Sequence, residues 1–393
     1  MKPKFPIPRR MATTLRTTAC HGIHVELGAR MVDFHGYHLP IWYTSISEEH
    51  HATRTGAGLF DVSHMGSFRF IGEGVASWLE GLATQAVTSV PVGRCGYTHF
   101  CDEAGHIIDD MIFAVVSETE IRGVPNASMI DVMSTWFRSH LPADESIELI
   151  DESEGTSILA LQGPSARIIL ETVLGEEAAV GRFRCASFEF GPFQGWIQGT
   201  GYTGEAGFEI FISDAQTPDL FMALIESGRA HGIQPVGLGA RDTLRMEKGY
   251  LLSGVDFLTA SLLPDDGSKD HLLRTTVESN VPFGLDLDHE FVGRQGNLIS
   301  HQGSIRWWGV RALGRGAAPR TGTEVYAHNG GVAPDPSGIE PIAVLTSGAP
   351  SPSLGNLGIG MGYLPDMVPG ERVWLATSTR RMVEAEIVRP PFL

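Results

Sequence analysis

An α+β fold in at least two packed units is what this sequence predicts, and three observations predict it. The chain has 393 residues, more than the roughly 250–300 at which a single core stops growing. Helix signals and strand-like alternation interleave from Ser45 to Lys248. Beyond Gly293 the character changes, and short strands recur between Gly, Pro and Ser turns, as in a small β-barrel or sandwich.

In chain order, Ser45 to Thr55 reads as a helix with Ser47 as N-cap candidate and glutamates in its first turn. Gly56-Ala57-Gly58 is the stop before Leu59-Phe60-Asp61-Val62. Ser67 to Ile71 alternates like a half-buried strand, and Ile107 to Val116 is an apolar strand interrupted by two aspartates. Ile158 to Leu161 is a strand, turned by Gly163-Pro164 into a helix from Ser165 to Val173. Phe188 to Gln198 and Gly207 to Ile212 frame a Gly-rich hairpin connection. Thr217 caps a helix from Pro218 to His231, with proline at its first position, and Gly239 to Lys248 is another. Residues 264–270 form a polar insert, expected to be an exposed loop. Strands at Trp307–Ala312, Ile342–Thr346, Ile359–Tyr363, Arg372–Leu375 and Met382–Val388 make the second unit.

Composition excludes several functions. With 42% hydrophobic and 19% charged residues the balance is that of a globular chain, not a disordered one. No apolar run approaches the roughly 18–20 residues of a membrane helix. A net charge of −17 argues against nucleic-acid or anionic-membrane binding. The acidity sits in the body: from His301 to Leu393 there are eight arginines and no lysine against seven acids. That segment is a candidate landing patch for an acidic partner, or simply a local bias.

The N-terminus is basic, with Lys2, Lys4, Arg9, Arg10 and Arg16 ahead of the first acid, Glu26. It lacks the apolar stretch of a signal peptide, and Pro3, Pro6 and Pro8 spoil a mitochondrial presequence helix. Met11 is a second candidate start. Cys20, Cys95, Cys101 and Cys185 make no CxxC pair, which suits reduced thiols in the cytoplasm. The sequon Asn126-Ala127-Ser128 is therefore discounted.

Most signatures of chemistry fail. Gly199-Thr200-Gly201-Tyr202-Thr203-Gly204 spells a dinucleotide fingerprint, but an alternating strand follows it where that motif needs a helix N-terminus. His35, His38, His50, His51 and His64 form no HExxH or paired ligand spacing, so no metal site is expected. No nucleophile elbow or P-loop occurs. What remains is Asp109-Asp110 inside an apolar strand, where ionised carboxylates are costly unless paired or hydrogen-bonded. Alternation groups Asp109 with Ile107 and Met111, and Asp110 with Ile108 and Ile112; pattern alone does not say which aspartate is functional.

Further blocks carry a resemblance: Gly28 to Phe34 (GARMVDF), Leu59 to Gly66 (LFDVSHMG), Asn126-Ala127-Ser128, Leu161 to Pro164 (LQGP), Thr200 to Glu209 (TGYTGEAGFE), Gly237 to Arg245 (GLGARDTLR), Thr346-Ser347-Gly348 and Arg389 to Phe392 (RPPF). In this order they resemble the aminomethyltransferase family, the T-protein of the glycine cleavage system, from about residue 18 onward. The resemblance implies a multi-subdomain, cloverleaf-like folate-binding region over residues 18–298 and a C-terminal β-barrel over 304–393. It implies tetrahydrofolate in a central channel, with Asp110 as the catalytic carboxylate beside the reacting nitrogens. Met65, Tyr97, Val124 and Asn126 would line the pocket, and Tyr202, Glu209 and Arg241 would make further folate contacts. The chemistry suits those types: a carboxylate accepts from the pterin edge, and a guanidinium forks onto the glutamyl tail.

Each residue also has an ordinary structural use. Tyr202 would cover a core edge, Glu209 would pair with a nearby base, and Asp242–Arg245 would be a solvated pair. Where the family has AGWE and YGHD, this chain has His35-Gly36-Tyr37-His38 and Ser253-Gly254-Val255-Asp256. The resemblance implies transfer from an aminomethyl-lipoyl H-protein to tetrahydrofolate; the alternative is a folate-dependent demethylase acting on a small N-, O- or S-methylated compound. A non-catalytic relative supporting iron–sulfur enzymes would carry KGCYxGQE, whereas Lys248-Gly249-Tyr250-Leu251 lacks that cysteine.

Overall fold

Strand Thr156–Gln162 is buried along almost its whole length because both its faces are covered. Leu159 and Leu161 meet the helices Ala166–Leu174 and Thr217–Gly228, while Ile158 and Ala160 face a second sheet. That is why the run reads as continuously apolar rather than alternating. The computed structural model describes residues 15–393 except 329, 332, 334, 336–338 and 379–380. Lys2, Lys4, Arg9, Arg10, the three prolines and Met11 lie outside the described residues.

Thr156–Gln162 belongs to a six-stranded sheet ordered Cys185–Phe190, Phe193–Gln198, Gly207–Ser213, Thr156–Gln162, Ala57–Asp61, Ile233–Pro235, whose last pair is parallel. A five-stranded antiparallel sheet runs Arg94–Cys101, Ile107–Ser117, Glu120–Pro125, Phe68–Gly72, Ile147–Asp151. Its outer face packs on helix Ile130–Ser139 through edge-on rings of Phe68, Phe70, Phe100 and Phe137. Truncating such a ring, as in Phe137→Ala, costs about 3–5 kcal/mol. Its inner face meets the six-stranded sheet and helix Leu238–Lys248, with Ala114, Phe60, Trp196 and Leu244 in one cluster.

The C-terminal strands close a six-stranded barrel: Arg306–Ala312, Leu357–Leu364, Ala343–Ser351, Glu324–Ala327, Arg372–Ser378 and Arg381–Val388. Closure decides barrel against sandwich. Strand Glu324–Ala327 was not anticipated, since four residues beside a Gly-Thr turn carry little pattern. The barrel docks on the body through Trp307, Ile359, Met361 and Phe392 against Met246, Leu251 and Phe257. Arg311 and Arg372 pair with Glu386 and Glu384 across barrel strands, so the arginine-rich segment is partly neutralised internally.

Several local expectations need correction. Ser45, not Ser47, caps helix Ile46–Thr55, its hydroxyl accepting from the Glu48 N–H at 3.2 Å. Gly56 alone ends that helix, and Ala57 and Gly58 already belong to the next strand. Phe188 to Gln198 is two strands, turned at Gly191-Pro192. Thr217 donates to the Ser213 carbonyl instead of capping, and its helix ends at Gly228 before a 3₁₀ turn. Ile108 sits in a bulge, since Phe100 pairs with Asp109 and Cys101 with Ile107. The extra residue turns Ile108 into the cluster of Met111 and Phe113, away from the side alternation gives it.

Candidate functional site

Both sheets, helix Leu238–Lys248 and the barrel wall a single cavity of about 1540 Å³. The barrel supplies Ser347 to Pro350 and Arg320, and the segment after it supplies Arg389 to Pro391. Two clamps hold that wall in place. Arg245, 2% exposed, reaches Asp256 and Ser347 at 2.8 Å and the Tyr250 carbonyl at 3.0 Å. Its bond to Asp242 exists, but the guanidinium end is buried, so the solvated-pair reading of Asp242–Arg245 does not hold. Glu247 accepts from Ser351 at 2.6 Å, from the Ser353 hydroxyl at 2.8 Å and from Arg54 at 2.9 Å, with His50 at 3.1 Å. Burial works against this carboxylate, but the bonds from His50 and Ser351 prevail and hold it down at about 2. Gly249, with φ +80°, ends the helix where a Cβ would stand 2.1 Å from Pro390, so the helix stop and this close approach both call for glycine.

All eight side chains named from the sequence lie on this cavity: Met65, Tyr97, Asp110, Val124, Asn126, Tyr202, Glu209 and Arg241. Met65 and Val124 form an apolar wall with Ile112. Tyr97 donates to Asp110 Oδ2 at 2.8 Å, and the Asn126 amide donates to Asp110 Oδ1 at 2.6 Å. The same amide reaches Asp109 Oδ1 at 2.9 Å, where Ser253 also donates at 2.8 Å. Asp109 is fully buried and off the cavity wall. Burial, and next the neighbouring Asp110, push its carboxyl up to about 8. Burial also raises Asp110, against the bonds from Tyr97 and Asn126. Two carboxylates so close do not both ionise near neutral pH. Asp110 meets the cavity, with Tyr97 and Asn126 donating to its carboxylate.

Across the cavity, Glu209 Oε2 accepts from the Thr200 hydroxyl at 2.5 Å. Arg241 lies over the Tyr202 ring at 4.8 Å, and its Nη1 is buried without a hydrogen-bond partner. Burial lowers this guanidinium's pKa, with Glu209 acting to restore it. Tyr202 stacks on Tyr250 at 5.6 Å and donates to the Leu251 carbonyl. His64 also lines the cavity, held neutral with its pKa at about 3 by burial and by Arg241. Among the described residues, no group of three or more His, Cys, Asp or Glu could hold a metal. An orphaned guanidinium and a free-facing carboxylate in a roomy, partly apolar cavity suit a large ligand with an anionic end.

Sequence reasoning missed three features. His99 contacts Tyr97 at 2.9 Å, but a lone histidine in a strand looks like core. Ser253 was noted only as a departure from a pattern, and Glu247 gave no signal. Residues 265–269 form an exposed loop that leads into the 3₁₀ turn Asp270–Leu272, and none of 264–270 lines the cavity.

Comparison with known proteins is consistent in sequence and structure. Residues 20–264 match the GCVT N-terminal domain family. The aminomethyltransferase of Halothermothrix orenii is 36% identical over 386 residues, covering 96% of this chain and 100% of that one. That of Rubrobacter xylanophilus is 38% identical over 384 residues, covering 96% and 94%. The crystal structure of glycine cleavage system aminomethyltransferase T from Bartonella henselae superposes with a TM-score of 0.80 at 26% identity, covering 97% of this chain and 98% of that one.

Proposed function

The chain belongs to the aminomethyltransferase family, and from that premise we propose how its cavity serves a one-carbon transferase of the glycine cleavage system. The donor is an aminomethyl group on the lipoyl arm of an H-protein, the acceptor is tetrahydrofolate, and ammonia is released. Bound tetrahydrofolate supplies the nitrogens that take up the one-carbon unit; the protein supplies position, charge and a dry pocket.

Asp110 carries this reading. Its carboxylate sits on the cavity wall, oriented by Tyr97 at 2.8 Å and Asn126 at 2.6 Å. From there it accepts a proton from an attacking nitrogen and stabilises positive charge developing at the transferred carbon. Glu209, steadied by Thr200, accepts from the donors of the pterin edge. Arg241, whose Nη1 has no partner within the protein, takes the carboxylates of the glutamyl tail. Met65 and Val124 keep water from the reacting centre. Four free, buried cysteines support a reducing compartment, the cytoplasm.

The demethylase alternative draws no support from the polar insert at 264–270, which is off the cavity wall. The deciding assay is ammonia release from methylamine-loaded H-protein with tetrahydrofolate, run beside a panel of methylated small molecules. Ammonia release with H-protein is expected; turnover of a methylated small molecule alone would replace this reading with the demethylase.

A further inference from the structure

Strand Arg94–Cys101 brings a second ring to the carboxylate, one that the mechanism above leaves unused. His99 stands directly opposite Asp110 in the antiparallel register, and Tyr97, two residues along, shares its face. The Tyr97 hydroxyl lies 2.8 Å from Asp110 Oδ2 and 2.9 Å from His99 Nε2.

A phenol has one proton to give. Ionised Asp110 can only accept, so Tyr97 donates to it and must accept from His99, which places the imidazole proton on Nε2. The other nitrogen supports that tautomer independently. His99 Nδ1 is buried without a partner, and a proton there would be a donor left wholly unsatisfied, at a cost of about 1–3 kcal/mol. The ring is 0% exposed, the backbone N–H of His99 donates to Thr84 Oγ1 at 3.0 Å, and Phe257 packs edge-on against the imidazole at 6.1 Å. Burial holds it neutral, with its pKa at about 3.

We propose that His99 is a positioning residue for Asp110: its Nε2–H fixes the Tyr97 hydroxyl so that the O–H points at the carboxylate. The inference rests on the reading of Asp110 as the base at the reacting nitrogens. The other titratable groups bearing on Asp110 and Tyr97 are Asp109 on the same strand, Asp256 and Tyr202. Arg241 and Arg245 act on Tyr202. Asp109 and Asp256 are acids that donate nothing to Asp110, and Tyr202 spends its proton on Leu251. The Tyr97 and Asn126 side chains therefore supply Asp110's donors, and His99 governs one of them.

The test is the pH dependence of kcat/KM for ammonia release in wild type and three His99 variants, with tetrahydrofolate affinity and melting measured beside it. His99→Gln puts an amide N–H near the Nε2 position, His99→Asn puts one near Nδ1, short of Tyr97, and His99→Leu has none. A Tyr97 hydroxyl that is no longer fixed donates to Asp110 less fully, which raises the pKa of Asp110, so the acid limb should move up by about half to one pH unit in the Asn and Leu variants. Activity on that limb then falls about three- to ten-fold. His99→Gln should restore the wild-type limb, and folate affinity should stay within about two-fold of wild type in all three. Acid limbs that superimpose in all four proteins would overturn the proposal, as would a Gln variant behaving like Leu. Should His99→Leu fail to fold, the Gln–Asn pair reads the same contrast. Asp110→Asn separates the two readings: if it is as fast as wild type, the base assignment fails, whereas a slow Asp110→Asn beside unmoved His99 profiles removes the His99 role alone.

Discussion

Asp109 and Asp110 hang from one amide, with Asn126 Nδ2 2.9 Å from the first carboxylate and 2.6 Å from the second. Adjacent residues of a regular strand would point apart. Here the neighbouring strand ends at Pro125, and Asn126, just beyond it, reaches both. The arrangement divides the pair by environment: burial and the neighbouring carboxylate push Asp109 up, and Asp110 alone of the two meets the cavity.

The first consequence concerns Asp110→Asn. The side chains are nearly isosteric, but the amide neither takes a proton nor stabilises a developing cation. Folding and folate affinity should stay within a few-fold of wild type, while turnover falls about 10²–10⁴-fold. Rate, binding and melting measured together decide it, and unchanged turnover would remove the carboxylate mechanism.

Asp109→Asn should behave differently, because an amide imitates the protonated acid. The Asp109 carboxyl titrates at about 8 when folded against an ordinary 3.8. A pKa raised by folding contributes stability that is complete below the unfolded value and is lost as pH climbs through the folded one. The wild type should therefore lose up to about 1.4 kcal/mol per pH unit from this group across that window. The variant should show a flatter stability profile between about pH 4 and 8, read by urea denaturation at several pH values. An identical slope in both proteins would mean that Asp109 is ionised in the native state.

Arg241 separates binding from stability. With Nη1 buried and unpartnered, the guanidinium costs the empty protein desolvation that an anionic ligand would recover. Arg241→Ala should weaken polyglutamylated tetrahydrofolate far more than a tail-less pterin, with little loss of melting temperature in the ligand-free protein. Equal losses for both ligands would make the residue structural.

Glu247 is the opposite case. Arg54, His50, Ser351 and Ser353 all meet its carboxylate. Glu247→Ala should cost about 3–5 kcal/mol, the range for breaking a buried ion pair and stranding its cation. Glu247→Gln, whose carbonyl oxygen still accepts from the serines, should cost less. Denaturant midpoints in the two variants rank them.

Elements with a strong period were legible in the sequence. The short barrel strands announce themselves by even spacing between turns, and Ile158 to Leu161 by length and apolarity. Strand Arg94–Cys101 (RCGYTHFC) was not legible, because Arg, Gly and His break its alternation, and the structure hides that His between Thr84 and Phe257. The eight cavity side chains came from resemblance; from periodicity alone, Asp109 and Asp110 were indistinguishable. Asn126, which holds both, lies on the segment after another strand, so a pattern along their own strand does not show it. Ser45 rather than Ser47 was legible as the cap: with Glu48 three residues on, Ser45 is the one that fits the capping-box spacing, and the structure shows its hydroxyl on the Glu48 N–H.

The barrel's place in the cavity wall has a thermodynamic corollary. A ligand that touches Ser347 to Pro350 as well as the body binds the docked arrangement better than any loosened one, so occupancy and docking are linked equilibria. Reciprocity then fixes the size of the effect in both directions. The factor by which docking tightens the ligand is the factor by which saturating ligand favours docking, so a weakened Arg245–Asp256–Ser347 clamp should lower ligand affinity while bound ligand favours the docked arrangement again.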